Sequence, residues 1–124
     1  MARNRSPGLT DGETRIMNVL WARGRATVGE VVAALPTRRP VAYNTVQTML
    51  RILEAKRYVD HEQVGRAFVY RPLVEQHSAR RKALSHLIDA LFDSSPSLMV
   101  LDLLKDERLD AAEMVRLRQM IDEA

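Results

Sequence analysis

The chain has no cysteine among its 124 residues. That absence excludes disulfides, thiolate chemistry and every cysteine-based metal site. The three histidines, His61, His77 and His86, are scattered and have no paired carboxylate at useful spacing. No glycine-rich phosphate loop and no nucleophile motif occurs, so no catalytic site, cofactor or metal site is expected. No apolar run approaches the roughly 18 residues that a membrane helix needs. The segment Met1–Gly8 is basic but has no apolar region behind it, so it reads as a flexible basic arm and not as a secretory signal. A cytoplasmic protein without membrane insertion is the expectation.

What is present is divided unevenly. The net charge is +3. Residues 1–72 carry twelve Lys and Arg against six Asp and Glu, a balance of +6, and residues 73–124 carry seven against ten, −3. A basic front joined to an acidic back suggests a nucleic-acid-binding part and a separate interaction part.

The front half opens with a helix. Thr10 and Glu13 have capping-box spacing. Ile16, Met17, Leu20 and Trp21 form its apolar stripe, with Trp21 as a core anchor, and Arg23-Gly24 ends it. Thr27 and Glu30 repeat the capping pattern before a short helix carrying Val31, Val32 and Leu35, which Pro36 stops. The basic linker Thr37-Arg38-Arg39-Pro40 leads into residues 40–57. There Val46, Met49, Leu50 and Leu53 make one apolar stripe, and Asn44, Gln47, Thr48 and Arg51 make an opposite polar face. That second face carries amide, hydroxyl and guanidinium groups, the types that reach base edges and phosphates. The period then changes. Residues 58–63 and 67–71 are rich in β-formers, and Val64-Gly65-Arg66 reads as the turn of a hairpin. Helix, helix, polar-faced helix and hairpin is the order of a winged helix-turn-helix, with Arg66 at the wing tip.

The back half is helical. Leu84, Leu87, Ile88, Leu91 and Phe92 form a stripe over about residues 73–92. Ser95 caps the next helix with Pro96 at its first position, and Leu98, Met99, Val100, Leu101, Leu103 and Leu104 are apolar nearly all round. Asp110 caps a last helix with Met114, Leu117 and Ile121 on one side. About fifty residues in three helices lie near the lower limit for an independent core. The apolar content exceeds what such short helices bury among themselves, so a homodimer is expected. Its interface would use Leu84, Leu87, Ile88, Leu91, Leu98, Leu101, Leu104, Leu117 and Ile121.

From Leu9 to Ile121 the chain resembles the penicillinase-repressor (BlaI/MecI) family of bacterial transcription regulators. The resemblance rests on Glu13-Thr14-Arg15-Ile16-Met17-Asn18-Val19-Leu20-Trp21, on Thr45-Val46-Gln47-Thr48-Met49-Leu50, and on Tyr58-Val59-Asp60-His61 with Phe68-Val69-Tyr70. It implies a winged helix-turn-helix that reads a palindromic operator as a homodimer, and a C-terminal helical dimerisation domain. In some members a membrane-bound sensor protease triggers cleavage of the C-terminal domain. The segment that aligns is Leu101-Asp102-Leu103-Leu104. Copper-responsive relatives bind metal through a cysteine-rich tail, which this chain lacks. Three departures stand out: Ala42 where Ser or Thr often caps the helix, Ile52 where an arginine usually stands with Arg51 one place earlier, and Lys56-Arg57 in place of Lys-Gly.

The expected architecture is therefore mainly α with a small β-hairpin wing. A basic arm (1–8) precedes a winged helix-turn-helix (9–72) and a helical dimerisation domain (73–124). The expected function is transcriptional repression by binding double-stranded operator DNA. Asn44, Gln47, Thr48 and Arg51 would face the major groove, and Thr45 and Thr48 are alternatives for phosphates. Arg38, Arg39, Tyr43, Lys56 and Arg66 would position the backbone. The competing reading is a winged-helix adaptor that binds a protein with the same face. Such a surface would show exposed aromatics, of which only Tyr43 qualifies.

Overall fold

The structure is a computed structural model that describes residues 8–36, 38 and 40–124. The basic arm before Gly8, and Arg39 of the linker, lie outside the described residues.

Helix α1 (Asp11–Arg23) begins at Thr10, whose side chain accepts from the Glu13 amide while the Glu13 carboxylate accepts from the Thr10 amide. Two otherwise orphaned donors are thereby satisfied. Gly24, at φ 87°, ends the helix and donates to the Leu20 carbonyl over 2.7 Å. The same reciprocal cap at Thr27 and Glu30 starts α2 (Val28–Ala34). Helix α3 (Tyr43–Ala55) starts at Ala42, which gives no side-chain bond to the helix. Strands β2 (Val59–Val64) and β3 (Ala67–Pro72) form the expected antiparallel hairpin. Its turn places Gly65 at φ 63°, with glycine first as a type II′ turn requires.

Two features depart from the sequence reading. A two-residue strand, β1 (Ala26–Thr27), pairs antiparallel with β3 through Ala26 opposite Tyr70 and Thr27 opposite Val69, giving the order β1-β3-β2. Leu73 does not join the following helix, because its amide donates to the Tyr58 carbonyl and extends the ladder. Helix α4 (Gln76–Leu91) starts only after Val74, whose carbonyl accepts from the Trp21 indole over 2.9 Å. Trp21 is thus a partly buried tie to a residue 53 places away, packed against the core.

The chain divides into two compact units, Met1–Lys82 and Ala83–Ala124, with the division inside α4. In the first unit Ile16, Met17 and Leu20 of α1, Val28 and Val31 of α2, and Val46, Leu50 and Leu53 of α3 close over Val59 and Tyr70 of the sheet. Burying one such aliphatic side chain contributes about 1.5–3 kcal/mol. The core therefore fixes the orientation of α3 and with it the outward face. In the second unit α4 gives way to α5 (Pro96–Leu103) and α6 (Ala111–Glu123). Ser95 caps α5 through the Leu98 amide, and Asp110 caps α6 through the Glu113 amide, as the sequence predicts. None of α4, α5 and α6 has a fully buried residue. Among the described residues no helix is long and apolar enough to cross a membrane.

Candidate nucleic-acid interface

The candidate surface begins with what α3 leaves outside. Val46, Leu50 and Leu53 are fully buried, which turns Asn44, Thr48 and Arg51 to solvent and leaves Gln47 half-buried. Met49 is only partly buried and reaches across to Gly12 of α1, where a Cβ would come within 2.6 Å of its terminal methyl. The exposed Tyr43 opens the helix on the flank of Gln47. Thr45 lies on the other flank, seven residues before the exposed Ile52. Arg38 is exposed in the turn after α2, and Arg66 is exposed at the hairpin tip. Arg39 lies outside the described residues.

Four cations of the first unit are paired with carboxylates. Arg23 pairs with Glu30, Arg25 with Glu62, and Arg71 with Asp60 across the hairpin. Lys56 also belongs here. Its ammonium lies 2.8 Å from Glu13 and donates to the Gly8 carbonyl over 3.2 Å. Glu13 is only 4% exposed. Burial alone would push its carboxyl up, but the Lys56 ammonium and the Thr10 hydrogen bonds outweigh it and hold the group below the ordinary glutamate range. The sequence pattern places Lys56 among the backbone-positioning cations; in the fold it ties the end of α3 to the start of α1. The guanidinium groups of Arg38, Arg51 and Arg66 form no hydrogen bond or ion pair with another described residue.

The flank of α3 that faces the wing carries a cluster with no trace in local spacing. Nδ1 of His61 lies 2.7 Å from Oε1 of Glu54. A carboxylate can only accept, so that nitrogen carries the proton and donates. The His61 ring stacks on Phe68 with centroids 4.5 Å apart and lies 5.2 Å from Tyr70. Burial, then the Glu54 charge, pushes the Tyr70 phenol up, while Arg51 opposes this. Strand alternation requires one of Asp60 and His61 to face away from the helix. Asp60 does so, accepting 2.6 Å from Arg71, and His61 turns to α3. Phe68 is exposed as well as Tyr43, so the domain has two exposed aromatics where the sequence suggests one: Phe68 stands toward the hairpin turn, past the core that buries Tyr70. Among the described residues no three acidic or histidine side chains converge as metal ligands.

Three helices and a three-stranded wing around one core, with a polar outer face on the third helix, define a winged helix-turn-helix module. The family profile described as Penicillinase repressor matches residues 9–123. The chain belongs to that family. It is 27% identical over 117 residues to a penicillinase repressor of Bacillus licheniformis, spanning 94% of this chain and 91% of that one. It is 36% identical over 90 residues to the transcriptional regulator BlaI of Mycobacterium tuberculosis, spanning 72% and 63%. Among solved structures, the DNA-binding domain of the repressor BlaI is similar, with 31% identity and a TM-score of 0.52 over 60% of this chain and 90% of that one. The family's named members are transcriptional repressors and regulators.

Proposed function

We propose that this chain is a transcriptional repressor that binds a palindromic operator in double-stranded DNA as a homodimer in the cytoplasm. The observation that carries the reading is the outward face of α3, where the buried Val46, Leu50 and Leu53 turn Asn44, Thr48 and Arg51 to solvent. Arg51 on that face, Arg38 in the turn before the helix and Arg66 at the wing tip are exposed, and none forms an ion pair with a described residue. Unpaired guanidinium groups beside amides and hydroxyls suit a phosphate-flanked groove. In this reading Asn44, Gln47 and Arg51 read base edges, amides suiting adenine and arginine guanine. Thr45, Thr48, Tyr43, Arg38, Arg39 and Arg66 hold the backbone. Lys56 is assigned to the helix end it braces.

The homodimer is proposed to form through the exposed apolar side chains of the second unit and to set the half-site spacing of an inverted repeat. Relief of repression by a membrane sensor protease cutting within Leu101–Leu104 is part of the proposal. Leu101, Leu103 and Leu104 are exposed at the end of α5, where a helix frays most readily.

Selection of duplexes from a random library by the full-length chain, followed by gel shift, tests the reading. A selected inverted repeat is expected, with affinity falling steeply as salt rises because contacted phosphates release counterions. The Q47A/R51A double variant is expected to lose on the order of 100-fold in specific affinity, as two base contacts at about 1–3 kcal/mol each imply. No selected sequence together with a flat salt dependence would favour the protein-binding adaptor.

A further inference from the structure

Glu54 is a carboxylate on the flank of a surface proposed to approach phosphates. It stands three residues after Arg51 and seven after Gln47, so all three share one side of α3. A glutamate and an arginine three apart on a helix are in reach of an ion pair. Such a pair would withdraw the guanidinium that the proposed function assigns to base reading, and a free carboxylate there would repel the DNA backbone. In the structure the pair with Arg51 does not form. Glu54 is turned to the wing and accepts from His61 over 2.7 Å, and Arg51 makes no ion pair with a described residue. The His61 ring is itself fixed by its stack on Phe68, 4.5 Å away, and by Tyr70 behind it.

We infer that His61 is a positioning residue for DNA reading: held by Phe68 and Tyr70, it keeps the Glu54 carboxylate against the wing and so leaves Arg51 free for the groove. The inference rests on the reading of α3 as the DNA-facing helix. The role is transmitted through Glu54, so no contact of His61 with DNA is required. Nothing in the local sequence pattern marks it, because His61 and Glu54 belong to different elements and meet only when the hairpin folds back on α3.

The test uses the full-length chain and a duplex that the wild type enriches from a random library. H61F retains a ring to stack on Phe68 and removes the donor to Glu54. It is expected to fold as the wild type does, by circular dichroism and melting, and to bind the selected duplex about three- to tenfold more weakly. Adding E54Q to H61F removes the charge without restoring any contact between wing and helix. The H61F/E54Q protein is expected to recover affinity to within about twofold of wild type. A merely structural role for His61 would leave the double variant as weak as H61F, and that result would overturn the inference. So would an H61F protein that binds as tightly as wild type. If the wild type enriches no duplex at all, the DNA-reading surface falls and the inference falls with it.

Discussion

Arg57 holds φ at 68°, a left-handed backbone at the end of α3. Its amide donates to the Glu54 carbonyl, and the next amide, Tyr58, donates back to Leu53. These are the two bonds of a Schellman motif, with the buried Leu53 and Tyr58 as its hydrophobic pair. The motif favours glycine at the left-handed position, since a Cβ there is sterically penalised. Arg57→Gly is therefore expected to stabilise the fold by about 0.5–1 kcal/mol, after allowing for the greater freedom of glycine in the unfolded chain. A urea titration read by circular dichroism checks it. The nearby Glu13–Lys56 pair behaves oppositely on substitution. Removing the ammonium leaves a buried carboxylate without its charge partner, so Lys56→Met is expected to cost about 2–4 kcal/mol in the same assay. Because the folded-state pKa of Glu13 is depressed, its contribution is complete above the ordinary glutamate value. That contribution is lost as pH falls through the lower folded-state value. Denaturation of wild type against Glu13→Gln should show the two proteins converging in stability as pH drops through the acid range. A constant gap would rule the linkage out.

At the scale of elements, what the sequence makes legible is what adjacent residues decide. Thr10 with Glu13 and Thr27 with Glu30 are bonded across three residues, so their caps are written in the spacing. The apolar stripe of α3 and the glycine turn of the hairpin are legible for the same reason. Long-range pairings are not. Strand β1 has two residues and no periodicity, and only β3 makes it a strand. Leu73 reads as helical until the Tyr58 carbonyl claims its amide. Lys56 reads as a free cation until α1 brings Glu13 to it. The candidate surface follows the same rule: the α3 face is visible from spacing, whereas the His61–Glu54 contact needs the fold. One local signal that the structure sustains is a missing cap. Ala42 has extended backbone angles, φ −64° and ψ 147°, but no side-chain oxygen to accept from the first turn of α3. Ala42→Ser is expected to stabilise the domain by about 1 kcal/mol. Unchanged urea midpoints would show that the first turn of α3 is satisfied by other means.

At the scale of the molecule, the two units present opposite problems. The first buries an apolar core beneath polar and cationic groups; the helices of the second fully bury no residue and leave large apolar side chains in solvent. Leu91 is 73% exposed, Leu101 55% and Ile121 71%, and Leu84, Leu87, Leu98, Leu104 and Leu117 are exposed too, with Ile88 half-buried. Leaving so many large apolar side chains in water is unfavourable by about 25 cal/mol per Å². A second copy is the partner that a chain always has at its own concentration, and a specific interface would cover about 1,200–2,000 Å² of such surface. A charge placed in that interface would be desolvated without a partner. Leu101→Glu and Leu117→Glu are therefore each expected to shift the protein from dimer to monomer in sedimentation equilibrium while leaving the melting of the winged-helix unit in place. If the dimer spans two half-sites, the monomer loses the linked second binding event. Its affinity for a selected inverted repeat should then fall by on the order of 100-fold, with little change for an isolated half-site. A charged variant that remains dimeric would move the interface away from these helices. A monomeric variant that still binds the repeat at full affinity would separate DNA reading from dimerisation altogether.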